Sequence, residues 1–385
     1  MMKVYIITQH DLVYYPPMQT LINVMQKMGL AIYFVGNYSD EESKKQYEKK
    51  GVIFESIVLN EEGNSIQKIY RQKQFAKDID RFLNNTRITD TDLIWYVYSG
   101  ATVCALSGIL YKHKFIVHFY EFYNSLQSWK YKLIYPSYNL RLFLHKAKGV
   151  VHCEYNRAQI CKSLYGLESL PYIIPNKPYI DQAKLSQVPA DIMESFSSFK
   201  KTIEGKKVII YQGYFNAKER RLEEFCQAVN LLPKDYVLVI MGRGSDYFDA
   251  LKVRYESKRI IFVPFVRPPY HLKYTQKATI GILTYYPQEQ TYPGVINPLY
   301  CAPNKIFEYG MYGVPMIGND IPGLKYVFSE FNCGETLKYP ITPQKIVDCI
   351  VKIENRYKDY SDGALNLNDS VNIEKTISDI IQELV

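Results

Sequence analysis

The sequence is poor in several of the signatures that assign chemistry at once. Its seven cysteines, at 104, 153, 161, 226, 301, 333 and 349, form no C-x-x-C pair and are odd in number. That spacing argues against a disulfide framework and against a zinc site, and favours a reducing compartment. No G-x-G-x-x-G follows the first apolar run, which removes the support for a dinucleotide-binding first turn. No D-x-D pair follows a strand-like run, so a metal-independent site is expected. Two tryptophans stand against 36 tyrosines, and six histidines are spread over 385 residues. Neither internal repeats nor low-complexity tracts are present. The start, Met1-Met2-Lys3, runs directly into a short apolar strand, too short for the apolar region of a signal peptide.

Long apolar runs are also scarce. The 19 residues of 93–111, LIWYVYSGATVCALSGILY, carry no charge, close to the ~20 that span a bilayer. Ser99-Gly100 interrupts them, and the composition changes from β-branched and aromatic to Ala and Leu. A buried strand followed by a buried helix is therefore predicted rather than a membrane span.

What is present is an ordinary globular composition, 47% hydrophobic and 22% charged, on a chain long enough for two cores. Apolar runs at 4–8, 31–35, 52–57, 93–98, 115–119, 150–153 and 172–174 alternate with helical windows such as 18–28 and 66–83. Strands alternating with helices imply a parallel, doubly wound sheet. A second series begins at 208–213 and continues at 236–241, 260–266 and 280–283. The domain plan is thus 1–176, a polar connection with a short helix over 177–206, a second α/β domain over 207–367, and a terminal helix over 368–385.

The net charge of +8 is concentrated in residues 1–180, which carry 22 Lys and Arg against 15 Asp and Glu. Within them, 126–149 holds Lys130, Lys132, Arg141, Lys146 and Lys148 with no acidic residue, interleaved with Trp129, Tyr131, Tyr135, Tyr138 and Phe143 and split by Pro136. This mixture is either a solvated helical face or a surface for anionic headgroups, where each cation adds about 1 kcal/mol. Nucleic acid is not expected, because no binding motif accompanies a sequence pI of about 8.8.

The stretch with the most chemistry is 297–323, NPLYCAPNKIFEYGMYGVPMIGNDIPG. It reads as an uncharged loop through Ala302-Pro303-Asn304, a short helix closed by Gly313, a β-run from Val314 to Gly318, and the turn Asp320-Ile321-Pro322-Gly323. Pro303 or Asn304 opens the helix, whose N–H groups and Lys305 favour an anion. Glu308, one turn on, either faces solvent or holds ligand hydroxyls, as acidic residues grip ribose elsewhere. A second phosphate signal is the buried run ending at Gly213 and followed by Arg220-Arg221 at a helix start, where two cations oppose the helix dipole unless an anion compensates. Gly242-Arg243-Gly244 by itself indicates only a turn. His118 and Glu121, at the carboxyl end of the fifth strand, are either a satisfied histidine beside an exposed glutamate or a pair for acceptor binding and proton handling.

The stretch resembles the nucleotide-sugar signature of GT-B glycosyltransferases, in particular the retaining family 4, in which a PNK-hydrophobic-hydrophobic-E run precedes a G-x-P-hydrophobic-hydrophobic strand. The resemblance implies two Rossmann-like parallel-sheet domains facing a cleft, with a terminal helix crossing back to the first. It implies a glycosyltransferase moving a sugar from a nucleotide-diphosphate sugar, UDP foremost, to a saccharide or lipid-linked saccharide acceptor, as in bacterial surface polysaccharide synthesis. Glu308 matches the ribose-binding second glutamate of the E-x7-E motif, while Tyr300 stands at the first. Arg220 matches the residue that holds the diphosphate, joined by Lys305, Asn304 and Gly213. Gly242, Val263, Phe265 and Tyr300 fall near the base or sugar. Retaining chemistry needs no protein nucleophile; an inverting enzyme would use His118 as base. No cofactor or metal is implied, and the location is cytoplasmic, or peripheral at the inner membrane face. A catalytically silent GT-B partner and a nucleotide-sugar 2-epimerase are the other readings, the first favoured by Tyr300 and the second disfavoured by the few histidines.

Overall fold

The structure is a computed structural model that describes residues 2–123, 133–136, 138–180, 185–288 and 291–384. It divides into two units, Met1–Tyr179 together with Asn372–Val385, and Ile180–Val371.

In the first unit, strands β1 (Lys3–Asp11), β2 (Ala31–Asn37), β3 (Ile53–Glu55), β4 (Leu93–Val97), β5 (Phe115–Phe119), β6 (Gly149–His152) and β7 (Tyr172–Ile173) form one sheet in the order β3-β2-β1-β4-β5-β6-β7. Every pairing is parallel. Because successive side chains point to opposite faces, each strand feeds two cores. In β1, Tyr5 and Ile7 pack with helices Ser65–Asn85 and Val103–Leu110, while Val4 and Ile6 pack with helix Pro16–Lys27. This two-sided burial explains why the strands read as continuous apolar runs. The uncharged stretch 93–111 is β4 followed by the helix Val103–Leu110, and among the described residues no helix is long and apolar enough to cross a membrane.

The last helix, Ile373–Leu384, packs into the first unit. Ile373, Ile377, Ile380 and Ile381 join the core beside Leu21 and Met25, and Lys27 pairs with Glu374 at 2.7 Å. Of the basic, aromatic window, Trp129, Lys130, Tyr131 and Lys132 lie outside the described residues. The remainder contains helix Leu140–Lys146, capped by Asn139; it buries Phe143 and Leu144 and exposes Arg141, Lys146 and Lys148.

In the second unit, β8 (Lys207–Gly213), β9 (Tyr236–Gly242), β10 (Ile260–Pro264), β11 (Ile280–Leu283), β12 (Met316–Asn319) and β13 (Gly334–Leu337) follow the order β10-β9-β8-β11-β12-β13, again all parallel. Alternation recurs: Val208 and Ile210 face one core, Ile209 and Tyr211 the other. The polar connection contains helix Ala190–Thr202, whose Phe196 and Phe199 pack on Tyr274 with ring centroids 5.2 and 4.8 Å away. It belongs to the second core rather than lying free.

One expectation is corrected, and one strand appears that the sequence reading did not include. Residues 297–299 are not loop but the end of helix Tyr292–Leu299, which Thr291 caps through Gly294 N–H. Pro298, which reads as a breaker, is tolerated because the Gly294 carbonyl, four residues before it, accepts from Gln288 N–H at 2.7 Å instead. And β13, sequence GETL, is a strand that no apolar run announces.

Candidate functional site

The chain order of the second sheet creates a switch. From β8 the chain moves outward through β9 and β10, then returns to β11 on the other side of β8. Open parallel sheets bind ligands at such a point, beyond the carboxyl ends of the strands. Here those ends are Gly213 of β8 and Thr284-Tyr285 after β11.

Gly213 has φ +137°, and a Cβ there would lie 3.0 Å from Lys305 Nζ. The missing side chain therefore admits the lysine. Lys305 is on the short helix Asn304–Gly310, whose N-cap is Pro303; Asn304 is its first residue and caps nothing by its side chain. Tyr309 fastens this helix to the switch point, its hydroxyl donating to the Ile210 carbonyl of β8 or the Ile282 carbonyl of β11 at 3.3 and 3.4 Å. The Lys305 ammonium lies 4.7 Å from the ring centre of Tyr211 and 5.6 Å from that of Tyr285. Arg220 stacks on the other contact of the same tyrosine, its guanidinium carbon 4.1 Å from the Tyr285 centroid. Asn319, fully buried on β12, holds the Tyr285 backbone by accepting from its N–H at 2.9 Å and donating to its carbonyl.

Burial, and then the charge of Arg220, lower the Lys305 ammonium to about 7. No carboxylate forms an ion pair with it among the described residues. Two cations gathered on aromatic faces, one of them desolvated and unpaired, make a site whose charge balance calls for an anion. Arg220 also has a looser acidic neighbour, Glu219 Oε2 at 3.8 Å, whereas Arg221 pairs closely with Glu224 at 2.7 Å and is half exposed, so the first arginine of the pair is the one that faces the site.

The Glu308 carboxylate does not lie on a solvated face. It is 6% exposed, not solvent-facing. His271 Nε2 lies 3.2 Å from Oε1, and Gln212 donates to Oε2 at 2.6 Å. Burial pushes this carboxyl upward, but the His271 contact and the Gln212 hydrogen bond outweigh it and leave the group below its ordinary value. The site thus holds a fixed carboxylate one helical turn from the cations.

The other expected residues are less direct. Gly242 is required by packing: a Cβ would meet the Gly213 carbonyl oxygen at 2.1 Å and Phe215 at 2.7 Å. Val263 is turned into the core, whereas Phe265, after β10, is 45% exposed. Tyr300 closes the preceding helix, its N–H bonded to the Ile296 carbonyl at 3.0 Å.

In the first unit His118 is 1% exposed, and Trp95 Nε1 donates to its Nδ1 at 3.1 Å. Indole can only donate, so Nδ1 carries the lone pair and the ring proton is on Nε2. Burial lowers the imidazole to about 3. A neutral ring with its one basic nitrogen occupied is not a general base, which corrects the expectation for His118. Glu121 is exposed, and no hydrogen bond or ion pair joins the two. Residues that sequence reasoning missed are Gln212, His271, Thr275, Tyr285 and Asn319; none sits in a spacing that signals a ligand. Among the described residues, no group of three His, Cys, Asp or Glu side chains is placed to hold a metal ion.

Residues 206–355 match the family model described as Glycosyl transferases group 1. The second unit carries a group 1 glycosyl transferase domain. Solved structures similar to the whole chain include a glycosyltransferase from Rickettsia africae, 12% identical with a TM-score of 0.70, covering 100% of this chain and 97% of that one. Another is HepE from Anabaena, solved in complex with UDP-glucose, at 13% identity and TM-score 0.69, covering 100% of both chains. A third is WaaG, described as a glycosyltransferase involved in lipopolysaccharide biosynthesis, at 11% and 0.61, again covering 100% of both. No curated protein matches the sequence. At these identities the likeness is one of fold, and the fold is GT-B, two Rossmann-like units each built on a parallel sheet. The glycosyltransferase domain contains Gly213, Arg220, Lys305 and Glu308, which lie together at its switch point.

Proposed function

We propose that the protein transfers a sugar from a nucleotide-diphosphate sugar, UDP foremost, to a saccharide acceptor, in bacterial surface polysaccharide or glycoconjugate synthesis. The observation that carries this is the unpaired Lys305 ammonium beside Arg220, with the Glu308 carboxylate one turn away. Cations meet the diphosphate, and a carboxylate meets the ribose hydroxyls. The complex of Anabaena HepE with UDP-glucose supports UDP as the first nucleotide to try.

As the glycosidic bond breaks, negative charge grows on the leaving diphosphate, and Arg220 and Lys305 are already in place to stabilise it. The N–H groups at the start of helix Asn304–Gly310 add a smaller share, since that helix has only seven residues. The charge stabilisation comes from side chains, so the reaction is metal-independent. With His118 neutral and its basic nitrogen occupied, the retaining course fits better than the inverting one: the acceptor hydroxyl attacks from the leaving-group face and the departing phosphate takes its proton. Seven free cysteines, six of them buried, support a cytoplasmic location. Docking to the inner membrane face through the basic window at 126–149 rests on its charge and aromatic content alone.

Tyr300, in place of the first motif glutamate, keeps a second reading alive, a GT-B protein that binds the nucleotide without turnover. Calorimetric titration with UDP, GDP and ADP, with and without Mg²⁺, on wild type and Glu308→Ala tests the donor site. Micromolar binding of one nucleotide that needs no metal and collapses in the variant is expected; absence of binding by all three overturns the transferase reading. Hydrolysis or transfer from the matching nucleotide-sugar then separates the enzyme from the silent form.

A further inference from the structure

Glu308 is not an isolated carboxylate but one member of a run of side chains, His271, Glu308, Gln212 and Thr275, that turns back to the His271 carbonyl. Its Oε1 takes His271 Nε2 at 3.2 Å, and its Oε2 takes Gln212 Nε2 at 2.6 Å. The Gln212 carbonyl oxygen accepts from the Thr275 hydroxyl at 2.6 Å, which fixes which way that amide faces. Thr275 stands one helical turn after His271 and lies 3.3 Å from the His271 carbonyl. Gln212 and Thr275 are 3% and 0% exposed.

Three features separate this run from ordinary structural polar contacts. First, apart from the Thr275 contact to the His271 carbonyl its bonds end on each other's side chains: they join strand β8, the residue before helix Leu272–Thr275 and helix Asn304–Gly310, but satisfy no backbone group at a strand edge or helix end. A buried carboxylate costs stability relative to an apolar residue of the same size, and joining these elements does not by itself require one. Second, each carboxylate oxygen receives a single protein N–H, while each has two lone pairs. One acceptor position per oxygen is left, and a vicinal diol supplies two O–H donors. Third, His271 Nδ1 is buried without a partner. Because a carboxylate oxygen only accepts, the Nε2 proton of the ring is directed at Glu308.

We propose that His271 is a positioning residue for the nucleotide's ribose: it acts through Glu308, fixing the carboxylate so that its remaining acceptor positions receive the 2′- and 3′-hydroxyls. This rests on the nucleotide-sugar reading above. His271 does not touch the nucleotide in this scheme. Its contribution is to stop rotation of the carboxylate about its last bond, which Gln212 alone would leave hinged on one oxygen. The run consequently sets discrimination between a ribonucleotide and its deoxy analogue, while Arg220 and Lys305 set affinity for the diphosphate.

The experiment is calorimetric titration of the full chain with UDP, 2′-deoxy-UDP and inorganic pyrophosphate, on wild type, His271→Leu, His271→Gln and Thr275→Val. Wild type is expected to prefer UDP over 2′-deoxy-UDP by about tenfold or more, the size of one hydrogen bond to a charged group. In His271→Leu that ratio falls to within about threefold of unity with pyrophosphate binding unchanged, whereas His271→Gln, which keeps an N–H at similar reach, restores most of it. Thr275→Val, which frees the Gln212 amide, lowers the ratio in the same direction and serves if the leucine variant does not fold. Retention of the wild-type ratio in folded His271→Leu, or in Thr275→Val should that stand in for it, overturns the proposal and leaves the nucleotide site intact. If wild type binds UDP and pyrophosphate but does not discriminate against the deoxy analogue, the ribose role fails; if it binds neither, the nucleotide reading fails with it.

Discussion

Arg220 and Lys305 share the Tyr285 ring, the guanidinium carbon at 4.1 Å and the ammonium at 5.6 Å from its centre. Like charges so close repel, and the aromatic faces recover only about 1 to 2 kcal/mol. Among the described residues only Glu219, 3.8 Å from the Arg220 guanidinium, offers a carboxylate to the pair, so an incoming anion would relieve the repulsion further. Arg221, next in sequence, is paired more closely, with Glu224 at 2.7 Å. Arg220→Ala should therefore weaken UDP binding by roughly ten- to a hundredfold, the loss of one charge-assisted contact. Arg221→Ala, which removes an exposed pair, should change affinity less than about twofold and stability by under ~0.5 kcal/mol. Titration calorimetry and thermal melts of the two variants check this; equal losses in both would mean the site is only a diffuse basic patch.

Gly213 controls whether Lys305 reaches that ring. An alanine Cβ would stand 3.0 Å from Nζ, at a residue whose φ of +137° alanine adopts only with strain, costing about 1 to 3 kcal/mol. Gly213→Ala is expected to lower Tm by a few degrees and to cut UDP affinity by about tenfold. If the melting temperature falls while affinity holds, the glycine serves the strand end and not the lysine.

Tyr309 reaches the two central strands at once, with its hydroxyl near the Ile210 and Ile282 carbonyls and its ring against Gly281, where a Cβ would come within 2.5 Å. Tyr309→Phe removes only the hydroxyl and should cost about 1 kcal/mol. Gly281→Ala forces the ring, and with it the helix bearing Lys305 and Glu308, off the sheet. It should cost about 1 to 3 kcal/mol by overpacking and weaken UDP binding as well. Denaturant melts beside calorimetry separate the two effects, and a Gly281→Ala protein with wild-type affinity would show that the helix keeps its place without this contact.

The sheets were legible because strands buried on both faces read as apolar runs ended by Gly or a turn; β5 was expected at 115–119 and is Phe115–Phe119. Where that logic lapses, so did the expectation. Strand β13 is a short edge strand of Gly, Glu, Thr and Leu, with too little apolar content to register. Helix Tyr292–Leu299 was hidden by Pro298, whose missing N–H is offset by a bond from Gln288 that no local pattern reveals. At the site, Glu308 and Lys305 share one short motif, which is why both could be named from the sequence. Gln212 and Glu308 are 96 residues apart in sequence, Thr275 and Gln212 63, so their run exists only after β8, the short helix Leu272–Thr275 and helix Asn304–Gly310 have converged. His118 misled because a histidine at a strand's carboxyl end looks available until Trp95, 23 residues away, is seen to occupy it.

Lys305 makes function and stability oppose each other in a way pH exposes. Burial lowers its ammonium to about 7 from an ordinary 10.5, so between those values the unfolded chain holds a proton that the folded chain has released. Stability then rises with pH across that window. Below about pH 7 the lysine is charged in both states and the folded protein bears the full cost of the buried cation. Lys305→Met removes that cost while filling the same space. The variant should melt several degrees above wild type at pH 6, with the difference shrinking steadily towards pH 10, and should lose UDP binding by tenfold or more, about the contribution of one charged contact. In wild type, a diphosphate favours the protonated lysine, so binding takes up a proton and affinity falls as pH rises from 7 to 9. Melts from pH 6 to 10, with calorimetry in two buffers of different ionisation enthalpy, check both halves. A methionine variant that is less stable than wild type at pH 6 would mean the ammonium is satisfied in the empty site, and the case for an anion there would lose its electrostatic basis.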